Sequence, residues 1–359
     1  MGSTFCQAKY VPVYSRNLER AESRLMKNLA RHYRLRLLRK KWQIRTLRRK
    51  KDLQNVKMGD SHALAGGIFL FSTMRNEALR LPHFLDYYRK LGVDQFFIVD
   101  NGSTDGTAEL LKAQPDVSLW HTGASYRCAK FGVLWLNNLL NEFGHEHWCL
   151  VVDVDELFVY PYHDTRPLSA LTHWLASSQI SSFAAMLIDL YQKAPRAYKS
   201  GQNPLETLTH FDAGNYTQRR NNRFTELWIQ GGPRQRLFFR AQPKNAPALN
   251  KTPLVFWRKH YVYISSTHLL LPRSLNQTYE RDGGEKICGV LLHTKFLPDL
   301  YNRAQEELHR GEHYANSAEY LAYSEQENAI EDMWSERSTE YINWRQLERL
   351  GLISYGGWA

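Results

Sequence analysis

Between Ile68 and Glu156, four short and mostly apolar runs alternate with helical stretches, and each run gives way to polar residues. The runs are Ile68-Phe69-Leu70-Phe71, Phe96-Phe97-Ile98-Val99, Val117 to Trp120, and Trp148-Cys149-Leu150-Val151-Val152. Strands this apolar have no face to offer to water, so they fit a parallel sheet covered by helices on both sides. The intervening segments carry helix punctuation. Pro82 suits the first turn of a helix that presents Phe84, Leu85, Tyr88 and Leu91 on one face and stops at Gly92. A short helix ends before Pro115, and a longer one runs from Arg127 to Phe143 and stops at Gly144. The fold class is α/β, a Rossmann-like and mostly parallel sheet flanked by helices. Ligands of such sheets lie outside the carboxyl ends of the strands. Here those ends carry Arg75-Asn76-Glu77, Asp100-Asn101 and Asp153-Val154-Asp155-Glu156.

The chain has 359 residues, 43% of them hydrophobic, enough for a packed core. Its net charge of +11 is unevenly placed. Residues 1–51 hold 16 Lys and Arg against Glu19 and Glu22, leaving 31 basic and 34 acidic side chains for the remaining 308 residues. A basic arm on a mildly acidic body is not the pattern of a nucleic-acid-binding domain. From Arg20 to Lys51 the arm reads as an amphipathic helix, with Leu25, Leu29, Tyr33, Leu37, Ile44 and Leu47 on one side. Two readings stand: a helix packed on the body, or residues 20–51 attached to an anionic membrane surface. Residues 56–67 read as a linker. No apolar stretch approaches a membrane span, and Met1 to Cys6 lacks the pattern of a secretory signal. The expectation is a soluble cytoplasmic protein, peripheral at the inner face of the membrane if the arm binds there. Cys6, Cys128, Cys149 and Cys288 have neither zinc-site nor disulfide-framework spacing.

Asp153-Val154-Asp155 is the sharpest chemical feature. In extended chain, residues i and i+2 point to one side, so these carboxylates would converge at a strand end. Convergent carboxylates need a cation between them, and oxygen ligands of this kind suit Mg²⁺ or Mn²⁺ with substrate phosphates completing the shell. Asp100, ending the second apolar run, can accept from a ribose or a base N–H. The turn after it, Asn101-Gly102-Ser103-Thr104-Asp105-Gly106, also suits a plain strand-to-helix connection. Neither Gly-x-Gly-x-x-Gly nor a Gly-x-x-x-x-Gly-Lys-Ser/Thr loop is present.

Taken in order, Thr73-Met74-Arg75-Asn76-Glu77, Phe97 to Thr107 and Val152 to Phe158 resemble glycosyltransferase family 2, most of all a bacterial branch with an Arg-Asn-Glu motif. The resemblance covers about residues 66–160. Asn250-Lys251, Thr267-His268 and His293-Thr294-Lys295-Phe296 are similar to downstream features of that branch. It implies a GT-A fold, with residues 68–160 as the nucleotide-sugar half, 161–296 as the acceptor half and 297–359 as a helical C-terminal region. The implied reaction moves a sugar from a nucleotide-sugar donor to a glycan or lipid-linked acceptor in surface polysaccharide synthesis. By the same resemblance, Asp100 contacts the base or ribose, Arg75 and Glu77 border that pocket, and Asp153 and Asp155 hold a Mn²⁺ or Mg²⁺ ion on the diphosphate. His293, or failing it His268, would complete the metal shell. On a strand read from Gly289 to Phe296, His293 and Lys295 would alternate toward one side and face the diphosphate.

The acceptor hydroxyl needs a carboxylate base. Asp189, following the apolar run Phe183 to Ile188, is the candidate, with Glu226 and Asp212 as rivals. Residues 196–260 interleave Arg with aromatic side chains, Arg234, Arg236 and Trp257 among them. Aromatic faces stack on sugars and Arg grips anionic groups, so these three are acceptor-binding candidates; an Arg–acid network is the competing reading. Alternative functions are a nucleotidyltransferase-like use of the same carboxylates, or non-catalytic polyanion or membrane binding.

Overall fold

The structure is a computed structural model that describes residues 13–60, 66–278, 286–312 and 333–358. Cys6 and the side chain of Leu25 lie outside the described residues. The first element is a long helix, α1 (Val13–Arg49), followed by a short strand, β1 (Gln54–Lys57). Then come β2 (Ile68–Met74), α2 (Leu81–Leu91), β3 (Gln95–Asp100), α3 (Thr107–Lys112), β4 (Val117–His121), α4 (Val133–Phe143), β5 (Trp148–Val151), β6 (Glu156–Val159), α5 (Leu168–Ser177) and β7 (Ser182–Asp189). Strand β8 (His210–Phe211), the hairpin β9 (Tyr216–Asn221) and β10 (Glu226–Gly231), and helix α6 (Gly232–Phe238) lead to β11 (Asn250–Phe256). A second hairpin, β12 (Val262–Ser265) with β13 (Leu269–Leu271), precedes β14 (Cys288–His293) and α7 (Leu300–Arg310).

One nine-stranded sheet dominates, in the order β1-β4-β3-β2-β5-β11-β7-β14-β6. Strands β2, β3, β4, β5, β7 and β14 run one way; β1, β6 and β11 run against them. The sheet is thus mostly parallel in direction, as the apolar runs imply, but β11 enters its middle antiparallel. Successive residues feed opposite faces, as the two-residue strand period requires. Leu70, Phe96 and Ile98 join Phe84, Leu85 and Tyr88 of α2 in one core. Phe71, Phe97 and Val99 join Val133, Trp135 and Leu139 of α4 in the other.

Helix α2 begins and ends where its Pro and Gly place it, with Gly92 left-handed at φ 100°. Helix α4 starts six residues later than expected. Gly132 adopts φ 76°, and a Cβ there would lie 3.0 Å from Thr73 Oγ1 and 3.1 Å from the Tyr126 ring, so only glycine closes this approach.

The arm is part of the body at its C-terminal half. Leu35 packs with Val262 and Leu271, Trp42 with the α4 core, and Asn138 donates to the Thr46 carbonyl at 2.7 Å. Val56 and Lys57, read as the start of the linker, complete β1, an edge strand paired with β4. No described helix is long and apolar enough to cross a membrane.

Candidate functional site

A pocket of about 220 Å³ opens where β2, β3, β5 and β14 end. Thr73, Arg75, Glu77, Asn101, Asp153, Asp155, His293 and Lys295 line it, with Tyr126, Arg303 and Arg310. The structure therefore brings together Arg75, Glu77, Asp153, Asp155, His293 and Lys295 from widely separated stretches of chain.

The local geometry differs from the sequence reading. Strand β5 ends at Val151, and Asp153 to Asp155 form a turn in which the Glu156 N–H donates to the Asp153 carbonyl at 3.1 Å. The two carboxylates do not project side by side from extended chain. Asp153 is exposed and accepts from Lys251 Nζ at 3.1 Å, whereas Asp155 turns inward to His293, with 3.3 Å between Oδ2 and Nε2. Lys251 also pairs with buried Glu156. Burial raises the Glu156 carboxyl to about 7, against the pull of Lys251.

A second chain of charges runs behind the pocket. Asp189 Oδ1 lies 2.6 Å from His293 Nδ1, and Asp189 Oδ2 accepts from Arg234 Nε at 2.7 Å. Burial alone would raise the Asp155 carboxyl, but His293, with Lys295 and Arg80 beyond it, holds it well below the usual range. Burial likewise opposes ionisation of Asp189, and Arg234 and His293 overcome it. The two carboxylates in turn hold the His293 imidazole above its ordinary value despite burial.

Several expected roles are corrected by these contacts. Asp189 is 1% exposed with both oxygens engaged, so it orients His293 and does not face a substrate hydroxyl as a base would. Its rivals are engaged as well. Asp212 binds Arg236 through two contacts of 3.1 Å and accepts from Tyr191 Oη at 2.6 Å. Glu226 is buried, accepts from Asn221 at 2.6 Å, and is raised by that burial. Arg234 and Arg236 belong to an Arg–acid network, not to an acceptor surface. Trp257 is fully buried, stacked on Tyr263 at 5.6 Å. Asp100 is 1% exposed and does not line the pocket; it caps its own turn through Ser103 and contacts His121 Nδ1 at 3.2 Å. Strand β14 stops at His293, so Lys295 reaches the pocket from the turn beyond it. His268 Nδ1 lies 2.6 Å from the Asn250 carbonyl, and burial pulls its imidazole down to about 4.

Arg303 and Arg310 were not legible as site residues. Spaced i and i+7 on α7, they share a face with Glu306, and that pattern was the available signal. Arg303 pairs with Glu77, Glu306 accepts from Asn76 Nδ2 at 2.8 Å, and Arg310 reaches Asn101 Oδ1 at 3.4 Å. An adjoining face of α7 buries Leu300 and Ala304. Lys251 had a clearer signal, as a buried lysine in the strand that continues into Leu254-Val255-Phe256.

Among the described residues no three His, Cys, Asp or Glu side chains already form a metal-binding group. The donors nevertheless fit a divalent ion chemically. Asp155 and His293 Nε2 face each other on the pocket wall, and Asp189 holds the far nitrogen of the imidazole, as carboxylates do behind metal-bound histidines. Asp155, His293 and Asp153 are the residues that would hold Mn²⁺ or Mg²⁺.

The sequence matches no protein-family model and no curated protein. Among solved structures it is similar to HddC from Yersinia pseudotuberculosis, with 11% identity over 67% of this chain and 98% of that one, and a TM-score of 0.30. A UTP-bound UGPase from Acinetobacter baumannii aligns at 10% identity over 73% and 82%, with a TM-score of 0.26. A 4-diphosphocytidyl-2C-methyl-D-erythritol synthase aligns at 18% identity over 39% and 65%, with a TM-score of 0.24. Likenesses this loose carry neither family nor activity.

Proposed function

We propose that this chain is a nucleotide-dependent transferase that moves a sugar from a nucleotide-sugar donor to a hydroxyl acceptor, on a GT-A-type fold. One observation carries the reading. Carboxylates that suit a divalent cation and cations that suit a diphosphate line a single pocket at the carboxyl ends of parallel strands. Lys295, Arg303, Arg310 and Arg75 surround that pocket with positive charge, which favours the negative charge growing on a departing nucleoside diphosphate. A bound Mn²⁺ or Mg²⁺ would supply further neutralisation of that charge. Asp155 stays ionised because His293 faces it, and Asp189 with Arg234 keeps His293 in place. Thr73, Asn101 and Tyr126 offer the nucleoside polar and aromatic contacts.

Nucleotidyl transfer is the second reading, since it uses the same groups. Ser72 to Asn76, at the end of the first parallel strand, contains no Gly-Lys phosphate loop, and on that ground glycosyl transfer ranks first. The acceptor is a glycan or a lipid-linked sugar by resemblance alone.

A panel of nucleotide sugars with Mn²⁺ separates the readings. Release of nucleoside diphosphate supports glycosyl transfer, and pyrophosphate released from a nucleoside triphosphate plus sugar phosphate supports nucleotidyl transfer. Full turnover by Asp155→Ala would defeat both.

A further inference from the structure

We infer that the outer face of α1 docks on an anionic lipid bilayer, with a lipid phosphate seated in a cavity beside it. The inference does not depend on which transfer reaction the pocket performs. The expected apolar stripe of this helix is not its packing face. Leu35, Trp42 and Thr46 pack on the body, whereas Met26, Leu29, Tyr33, Leu37, Ile44 and Leu47 are 51–69% exposed. At about 100° per residue these six side chains fall within an arc of roughly 80°, on the side opposite Leu35 and Trp42. Arg36, Lys40, Lys41 and Arg48, all exposed, border and interrupt that arc. The sequence has no acid between Glu22 and Asp52.

The mixture of charge and apolar surface selects the occupant. A protein partner, including a second copy of this chain, would have to bury Lys40 in the middle of an apolar seam flanked by Lys41, at high cost unless Lys40 met a carboxylate. A bilayer interface accepts both at once: the apolar side chains enter the acyl boundary while Lys and Arg stems extend to the headgroups.

The cavity supplies the second observation. About 360 Å³ lies between α1 and Leu271–Arg273, with Leu35 and Leu271 as an apolar floor. His32, Arg36, Arg39 and Arg273 surround it; Arg273 reaches His32 Nε2 at 3.4 Å and the Asn222 carbonyl at 3.5 Å, and among the described residues no carboxylate pairs with these arginines. Arg39 Nε is buried there without a hydrogen-bond partner among the described residues. A mostly apolar cavity with arginines on its wall suits a phosphate ester that carries a hydrocarbon chain, the chain on the floor and the phosphate toward the arginines. Tyr33 and Arg36 belong to both the cavity and the outer face, so the two features form one surface.

The test is co-sedimentation of the full chain with phosphatidylcholine vesicles, with and without phosphatidylglycerol, at low and high salt. The expected result is binding to the anionic vesicles that weakens with salt, and little binding to neutral ones. Each cation near the surface changes the partition about fivefold. Neutralising Arg36, Lys40, Lys41 and Arg48 to Gln should therefore weaken binding at least a hundredfold. Leu29→Ser, Tyr33→Ser and Leu37→Ser together should abolish it while lowering the thermal melt only slightly, because these side chains are more than half exposed. Arg39→Gln with Arg273→Gln should narrow the preference for phosphatidylglycerol about tenfold. Failure of the unmodified chain to sediment with anionic vesicles would overturn the inference. So would undiminished binding by the triple Ser variant, or self-association through this face, seen by sedimentation velocity, without vesicle binding.

Discussion

Lys251 sits between Asp153 and Glu156 and compensates both, which makes it the side chain on which the acidic turn depends. Removing it strands Glu156 in a site where the carboxylate is 1% exposed. Lys251→Met should cost about 3–5 kcal/mol in urea unfolding at pH 8. The sign of its pH dependence follows from Glu156. Burial raises that carboxyl to about 7 even with Lys251 pulling it down, so without the lysine it rises further, the folded variant binds the extra proton, and the penalty shrinks as pH falls toward 7. Glu156→Gln added to Lys251→Met should recover part of the loss at pH 8. A loss independent of pH would disprove the pairing. Trp257 makes the complementary case. As a core residue, Trp257→Ala should lose about 3–5 kcal/mol, with no change in which acceptors are used. Residue type announced chemistry at these positions, but only the fold assigned partners. Asp189, Arg234 and Arg236 are as charged as any ligand-binding trio, and their neighbours neutralise them. Nothing in the linear spacing of Asp189, Arg234 and His293 points to the ion chain they build.

At the scale of elements, strand and helix placement followed directly from apolar runs and from Pro and Gly punctuation. What escaped that reading depended on contacts distant in sequence. The Asp153–Asp155 turn exists because β6 departs for the far edge of the sheet, where its residues pair with β14 and Thr294 closes on the Asp155 carbonyl at 2.7 Å. The approach at Gly132 is another such contact. Gly132→Ala would force a left-handed alanine against Thr73 and Tyr126, both of which line the pocket. The expected cost is about 1–2 kcal/mol from the backbone alone, together with a raised KM for the donor. A melt and a donor titration on the same variant check both parts. Helix α1 gives the clearest element-scale expectation. Asn138 donates to the Thr46 carbonyl at 2.7 Å, and Leu35 and Trp42 cover buried side chains of the body. Deleting residues 1–51 should therefore lower the melting temperature by several degrees, an outcome a detachable arm would not produce.

For the whole molecule, the pocket draws on residues from Thr73 to Arg310, so ligand binding should tie the sheet to α7. A ligand that binds only the folded chain stabilises it by about 2.7 kcal/mol at a hundred times its Kd. The correct nucleoside diphosphate with Mn²⁺ should accordingly raise the melting temperature by several degrees, and metal or nucleotide alone should do less. Two variants separate the contributions. Asp155→Ala removes a carboxylate that faces His293, so it should erase the extra stabilisation that Mn²⁺ adds to the nucleotide. Lys295→Ala should instead reduce the shift given by nucleotide alone, because a lysine on the pocket wall attracts phosphate and not metal. The expected pattern is non-additive: metal and nucleotide strengthen one another in the unmodified chain and act independently in Asp155→Ala. If metal and nucleotide already act independently in the unmodified protein, the carboxylates and the phosphate-facing cations do not share one ligand, and the nucleotide-sugar reading fails with them.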